Sequence, residues 1–321
     1  MGLAQRMSTW TAEDIPNQSG RTVLITGANS GLGLRTAQVL AGKGARVLLA
    51  CRSAERGAQA LHSVGELATG AAPELIRLDL ADLVSVREAA ASVRELTGDS
   101  LDLLVNNAGV MAVAKGVTKD GFELQFGVDH LGPAAFTWLV MPALRGGTAA
   151  RVVTLSSVAA IPGKIDFADP NAERKRYNAA TAYSQAKLAN QVFTLELNRR
   201  LRAAGDDIIS VAAHPGYTST GLGSGMAKSY SNPVVRGIIG GANRLGESLL
   251  AQGTRMGALP QLYAATAPDV EGGDYFAPRG LGGLRGYPTK IATVPAARSE
   301  HLGDALWELT AKLTGVTPDP V

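Results

Sequence analysis

Tyr183 and Lys187 stand four residues apart in the stretch YSQAK, inside a run with a strongly helical pattern. That spacing projects both side chains from one helix face. A free phenol titrates near ~10 and exchanges protons poorly at neutral pH. A neighbouring ammonium favours the phenolate, so the pair can act as an acid–base couple on a substrate oxygen. Alone, Y-x-x-x-K is common on solvated helix faces, and its weight here comes from company. Ser156 and Ser157 close the strand-like run RVVTLSS. A hydroxyl at the carboxyl edge of a central strand can hydrogen-bond a substrate oxygen, although such a serine also serves as an ordinary helix cap or turn.

A second cluster points to an anionic cofactor. TGANSGLG runs from Thr26 to Gly33, between a strand-like and a helix-like segment. Glycines 27, 31 and 33 leave no β-carbon where the backbone must turn tightly and approach a pyrophosphate. The helix that follows aims free N–H groups and its positive dipole end at that anion. A glycine-rich turn without ligand is the bland alternative, and the spacing is not G-x-G-x-x-G. The turn nevertheless opens a βαβ unit, the context such a motif requires. NAD sites commonly carry an acid at the end of the second strand; this chain has Ala50-Cys51-Arg52 instead. Arg52 lies nineteen positions past Gly33 (52 − 33), where a guanidinium would pair with a 2′-phosphate that an acid would repel. The alternative is a surface arginine at a helix start. The expected cofactor is NADP(H), with NAD(H) left open. An oxidised nicotinamide would add to Lys187 in favouring the Tyr183 phenolate.

The elements that must position these groups alternate along the chain. Apolar runs at 22–26, 45–50, 74–78, 101–105, 152–155 and 208–212 lack period-two alternation, as strands covered on both faces do. Helical patterns fall at 31–43, 54–67, 83–96, 121–144 and 179–203. Repeated strand–helix–strand order implies parallel pairing through right-handed crossovers. The expected fold is therefore a single-domain, Rossmann-type, doubly wound parallel α/β sheet of about seven strands with helices on both faces, the seventh strand near 273–276. Residues 1–19 read as a polar leader, 20–280 as the dinucleotide-binding and catalytic domain, and 281–321 as an irregular tail with one helix at 300–313. The Gly- and Ser-rich stretch 217–257 is expected to cover the substrate.

Taken together, TGANSGLG, Asp79-Leu80, NNAG at 106–109, Ser157/Tyr183/Lys187 and HPG at 214–216 resemble the short-chain dehydrogenase/reductase family, over Gly20 to about Phe276. LLACRS, FGVDHLGPAAFT and the extended segment before YSQAKLAN are most similar to its retinol-dehydrogenase-like branch. From serine to tyrosine is 26 positions (183 − 157), longer than the family's commonest spacing. The resemblance implies that Ser157 polarises a carbonyl, with Ser156 the fallback, that Tyr183 exchanges the proton, and that Lys187 holds the nicotinamide ribose and lowers the tyrosine pKa. It implies cofactor contacts from Gly27, Asn29, Ser30, Gly31, Leu32, Gly33, Arg52, Asp79, Leu80, Asn106, Ala108, Gly109, Tyr183, Lys187, Pro215, Gly216, Thr218 and Thr220. The family's fourth catalytic residue is an asparagine, and Asp129 takes its place. An aspartate can accept from the same groups but adds a charge beside Lys187; the relay tolerates it or activity is weak.

Composition excludes other classes. With 45% hydrophobic and 18% charged residues, the chain can bury a full core. Its net charge of +3 is small and its 31 basic residues are scattered, so no nucleic-acid partner is expected. Cys51 is the only cysteine, which rules out an intrachain disulfide or a thiolate metal cluster, and no metal is expected. H-E-x-x-H, C-x-x-C and G-x-S-x-G are absent. The stretch 136–144 comes closest to a membrane span, and Pro142 interrupts it; no span and a cytoplasmic location are expected. The function expected is NADP(H)-dependent interconversion of a lipophilic carbonyl compound and its alcohol. The alternative is an NADP(H)-binding sensor or scaffold with little activity. Homodimers or homotetramers through the long helices are usual in the family.

Overall fold

Strand β1 (Thr22–Thr26) begins the sheet, and α1 (Gly31–Gly42) follows directly on the glycine turn. Then come β2 (Arg46–Cys51), α2 (Ala54–Gly65), β3 (Glu74–Arg77), α3 (Leu83–Thr97) and β4 (Leu103–Asn106). After α4 (Gly132–Leu139) come β5 (Arg151–Leu155), α5 (Ala179–Ala204) and β6 (Ile209–Ala213). The chain ends with α6 (Leu259–Thr266), β7 (Tyr275–Gly280), β8 (Arg285–Ile291) and α7 (Glu300–Thr314). The structure, a computed structural model, describes residues 9–218 and 252–320. Most of the expected substrate-covering stretch 217–257, and Thr220 within it, lie outside the described residues.

The strands form one sheet in the order β3-β2-β1-β4-β5-β6-β7-β8. The first seven run parallel, and β8 pairs antiparallel with β7. The order reverses between β1 and β4, so the crevice beyond the carboxyl ends of these strands is the expected ligand site. Side chains of β1 alternate between two apolar layers: Val23 and Ile25 pack with α1 and α6, whereas Leu24 packs with α3 and α4. Burial on both faces explains the continuous apolar runs.

Two expectations need correction. The tail read as irregular beyond Gly280 carries the eighth strand, whose pairing with β7 is non-local and leaves no period-two signature in RGYPTKI. The helix read as continuous over 121–144 is broken into a short turn at Leu124–Phe126, a π-helical turn at Gly127–Leu131, α4, and a further turn at Met141–Arg145. Pro133 has no N–H to give the carbonyl of Asp129 four residues back, and Pro142 likewise leaves that of Trp138. Each proline therefore opens the helical ladder locally.

Helix α7 lies across α5 and α4. Trp307 stacks on Phe193 at 5.6 Å between ring centroids and meets Trp138 edge-on at 4.8 Å. Arg199 and Arg200 bridge Glu196 to Asp304 beside this cluster. Phe136, Trp138 and Met141 are thus core residues. On the other face of the sheet Trp10, within the leader, packs edge-on against Tyr263 of α6 at 4.9 Å.

Candidate active site

A cleft of about 440 Å³ opens at the carboxyl ends of the central strands, lined by the glycine turn, the ends of β2 to β5 and the first turns of α5. Gly27 adopts φ +67°, and a β-carbon there would meet Ala108 Cα at 2.9 Å. A β-carbon on Gly33 would stand 2.5 Å from Asn107 Nδ2 and 2.6 Å from Gly27 O. Only glycine lets turn and helix close this tightly. Ser30 caps α1 without a side-chain bond to its N–H groups, so the helix N-terminus faces the cleft with donors available to an anion.

Gly27, Asn29, Ser30, Gly31, Leu32, Gly33, Arg52, Asp79, Leu80, Ala108, Gly109, Tyr183, Lys187 and Pro215 all line this cleft. Arg52 is exposed, and among the described residues it forms no ion pair. Arg56 lines the same corner. It was missed in the sequence because it reads as one more charge on an amphipathic helix. Ser53 caps α2 by accepting from Arg56 N at 3.3 Å, which folds that first turn back beside Arg52.

Asn106 is placed differently from expectation. It is the last residue of β4, and its amide turns into the core and donates to Thr137 Oγ1 at 2.9 Å. Asn107 lines the cleft instead, with Nδ2 donating to Thr26 O at 2.8 Å and its backbone N–H to Thr26 Oγ1 at 3.0 Å. Strand alternation decides which of the two asparagines faces inward. Gly216 and Thr218 are not among the lining residues. Thr218 Oγ1 donates to Pro215 O at 2.9 Å, closing the turn after His214.

The two serines have separate surroundings. Ser156 is buried, donates to Lys187 O at 2.8 Å and accepts from Gln191 Nε2 at 3.2 Å. Asn190 Nδ2 donates to Leu155 O at 2.9 Å. These three contacts tie α5 to the end of β5 and fix the turn that carries Lys187. Ser157 is half-buried and caps the short turn Val158–Ala160. Its hydroxyl sits against the Tyr183 phenol and favours ionisation there.

Tyr183 opens onto the cleft, and the Lys187 ammonium lies 5.5 Å from its ring centroid. Lys187 Nζ is 2.9 Å from Asp129 Oδ2, and both side chains are buried. Asp129 Oδ1 accepts from Val110 N at 2.7 Å. Burial pushes the Tyr183 phenol above its ordinary range; Lys187 and Ser157 oppose this, and Asp129 adds to it. Lys187 thus pulls the tyrosine pKa down, in the expected direction, but burial outweighs that pull and the net direction is upward. Desolvation is the largest cause, and Asp129 works against the lysine. Burial opposes the Lys187 ammonium, yet its pairing with Asp129 raises its pKa overall. Asp129 itself is raised by burial against the pull of Lys187.

Residues 21–230 match the short chain dehydrogenase family. The chain belongs to that family. It is 37% identical over 301 residues to human retinol dehydrogenase 13, covering 92% of this chain and 85% of that protein. It is likewise 37% identical over 307 residues to polyprenol dehydrogenase from Mus musculus, covering 94% of this chain and 86% of that one. A crystal structure of an uncharacterised protein from Mycobacterium paratuberculosis superposes with a TM-score of 0.77 at 40% identity, covering 97% of this chain and 99% of that one. The chain lies in the retinol-dehydrogenase-like branch and is an oxidoreductase acting on CH–OH groups, with a Rossmann-type site for a nicotinamide dinucleotide. Among the described residues, no helix is long and apolar enough to cross a membrane.

Proposed function

We propose that the protein uses NADP(H) to interconvert a lipophilic carbonyl compound and its alcohol, with Tyr183 as general acid and base. One observation carries the reading: Tyr183 and Lys187 open onto the same cleft as the glycine turn and the exposed Arg52. When bound, the dinucleotide would supply or accept the hydride. The turn at Gly27–Gly33 and the N-terminus of α1 would hold its pyrophosphate, while Arg52 and Arg56 would pair with the 2′-phosphate. Asp79 and Leu80 would flank the adenine, Ala108, Gly109 and Pro215 the cofactor's path, and Lys187 its ribose.

Ser157 would donate a hydrogen bond to the substrate oxygen and align it with the Tyr183 hydroxyl. Tyr183 would give that oxygen a proton in reduction and remove one in oxidation. Met111, Val110, Leu124 and Val128 give the cleft an apolar lining, which suits lipophilic substrates. The relatives named for retinol and polyprenol support that class.

Replacing Tyr183 with Phe is expected to abolish turnover on aldehydes and ketones while NADPH binding persists. Full activity in that variant would rule the mechanism out. The Asp129–Lys187 ion pair favours a second reading, a dinucleotide-binding sensor with little chemistry. Tight NADPH binding without turnover across a panel of aldehydes, ketones and quinones would select it.

A further inference from the structure

The most unusual feature of the site is a charge that binding a dinucleotide does not require. Asp129 sits in a π-helical turn, a local distortion often found at functional positions. Its side chain is fully enclosed, with one oxygen on Lys187 and the other on the backbone of Val110. A β-carbon on Gly109 would lie 3.2 Å from this carboxylate, so Asp129 is packed against the chain that lines the cleft and cannot swing away. Three segments therefore converge to hold a carboxylate against the ammonium beside the Tyr183 ring.

We propose that Asp129 is a positioning residue that keeps this site in its carbonyl-reducing form at neutral pH, with alcohol oxidation requiring alkaline solution. The inference rests on the oxidoreductase reading above. Reduction needs the phenol: the carbonyl carbon receives the hydride, the oxygen takes the Tyr183 proton, and the phenolate recovers a proton from solvent. A bound reduced dinucleotide would supply that hydride, so charge and protons balance. Oxidation needs the phenolate to accept the alcohol proton. An ammonium alone would favour the phenolate; an ammonium matched by a carboxylate favours it much less.

The other groups facing this pair do not supply the missing charge. His130, beside Lys187, is held neutral by burial, with its pKa lowered to about 4. Tyr275 on β7 is pushed above its ordinary range by burial, so it stays a phenol. Glu123, near Asp129, is raised by burial and adds no positive charge. Ser157 is uncharged. Lys187 and Asp129 are thus the opposing charges that act on Tyr183, beside the burial that raises it.

The test is Asp129→Asn, which keeps shape and removes charge. Phenolate absorbance is titrated in the NADP⁺ complex, as the difference between each protein and its Tyr183→Phe counterpart, so no turnover is needed. The expected result is a downward move of the Tyr183 titration by roughly one pH unit or more. The pH limbs of kcat/KM for reduction and oxidation should move in the same direction. An unmoved titration beside normal turnover would overturn this proposal and leave the oxidoreductase reading intact. A moved titration without turnover on any carbonyl in the wild-type protein would sink that reading instead. Asp129→Ser, smaller and equally neutral, gives the same comparison if the asparagine variant does not fold.

Discussion

Adjacent serines at the end of β5 offer a sharp test, because replacing each with alanine should damage a different property. Ser156 is 3% exposed, with its hydroxyl between Lys187 O and Gln191 Nε2. Ser156→Ala leaves the mid-helix carbonyl with its helical partner but takes a hydrogen-bond partner from the buried Gln191 amide and Tyr275 hydroxyl. A buried donor without a partner costs about 1–3 kcal/mol, so urea unfolding should show a loss of about 2 kcal/mol. Turnover should change only modestly. Ser157 is half-buried, and its structural task is one bond from Ala159 N at 3.2 Å. Ser157→Ala should cost less than about 1 kcal/mol, as a lost cap does. Removing a donor aimed at a developing oxyanion costs roughly 10²–10³-fold in kcat, and that loss should appear in the decay of NADPH absorbance with an aldehyde substrate. The assignment would be refuted if Ser156→Ala stopped turnover at unchanged stability while Ser157→Ala turned over normally.

Other consequences can be measured independently. Arg52→Asp should weaken NADPH binding more than tenfold while changing NADH binding little, since Arg52 is exposed at the cleft and forms no ion pair among the described residues; fluorescence titration with an unchanged preference would remove it from the phosphate site. Trp307→Ala empties a position that is 4% exposed and packed between Phe193, Trp138 and Arg200. It should destabilise by about 3–5 kcal/mol in urea unfolding, and a loss under ~1 kcal/mol would mean that α7 does not brace α5. His130 and His214 are both held down at about 4 by burial, so the unfolded chain binds protons that the folded chain refuses. Stability should fall as pH drops from about 6.5 toward 4, by up to ~1.4 kcal/mol per pH unit for each histidine. Urea midpoints that are flat over that range, or a slope unchanged in the His130→Gln, His214→Asn double variant, would contradict this.

Local pattern carried much of the fold. The alternation of both-face apolar runs with helical stretches was enough for a doubly wound parallel sheet, because covering both faces of a strand requires an unbroken apolar run. The edge strand β8 was not legible, since RGYPTKI acquires its role only by pairing with β7. The break before α4 was legible in principle from Pro133, yet the apolar content of the stretch hid it. At the site, glycine spacing, Arg52 and the Tyr183/Lys187 interval announced themselves because each is constrained by residue type. Arg56 and Asn107 did not, as their roles depend on a helix turn folding back and on which face of a strand looks inward.

Residue type and spacing alone determined that a phenol and an ammonium share one helix face, that a glycine turn precedes a helix, and that an aspartate stands where the family has an asparagine. Only the tertiary structure decided what surrounds them. It placed Asp129 at 2.9 Å from Lys187, put Ser156 to anchoring α5, and half-buried Tyr183 so that desolvation outweighs the neighbouring cation. The reason is physical: the energy of a charge depends on the dielectric and the partners within a few ångströms, and those are supplied by segments far apart in the chain.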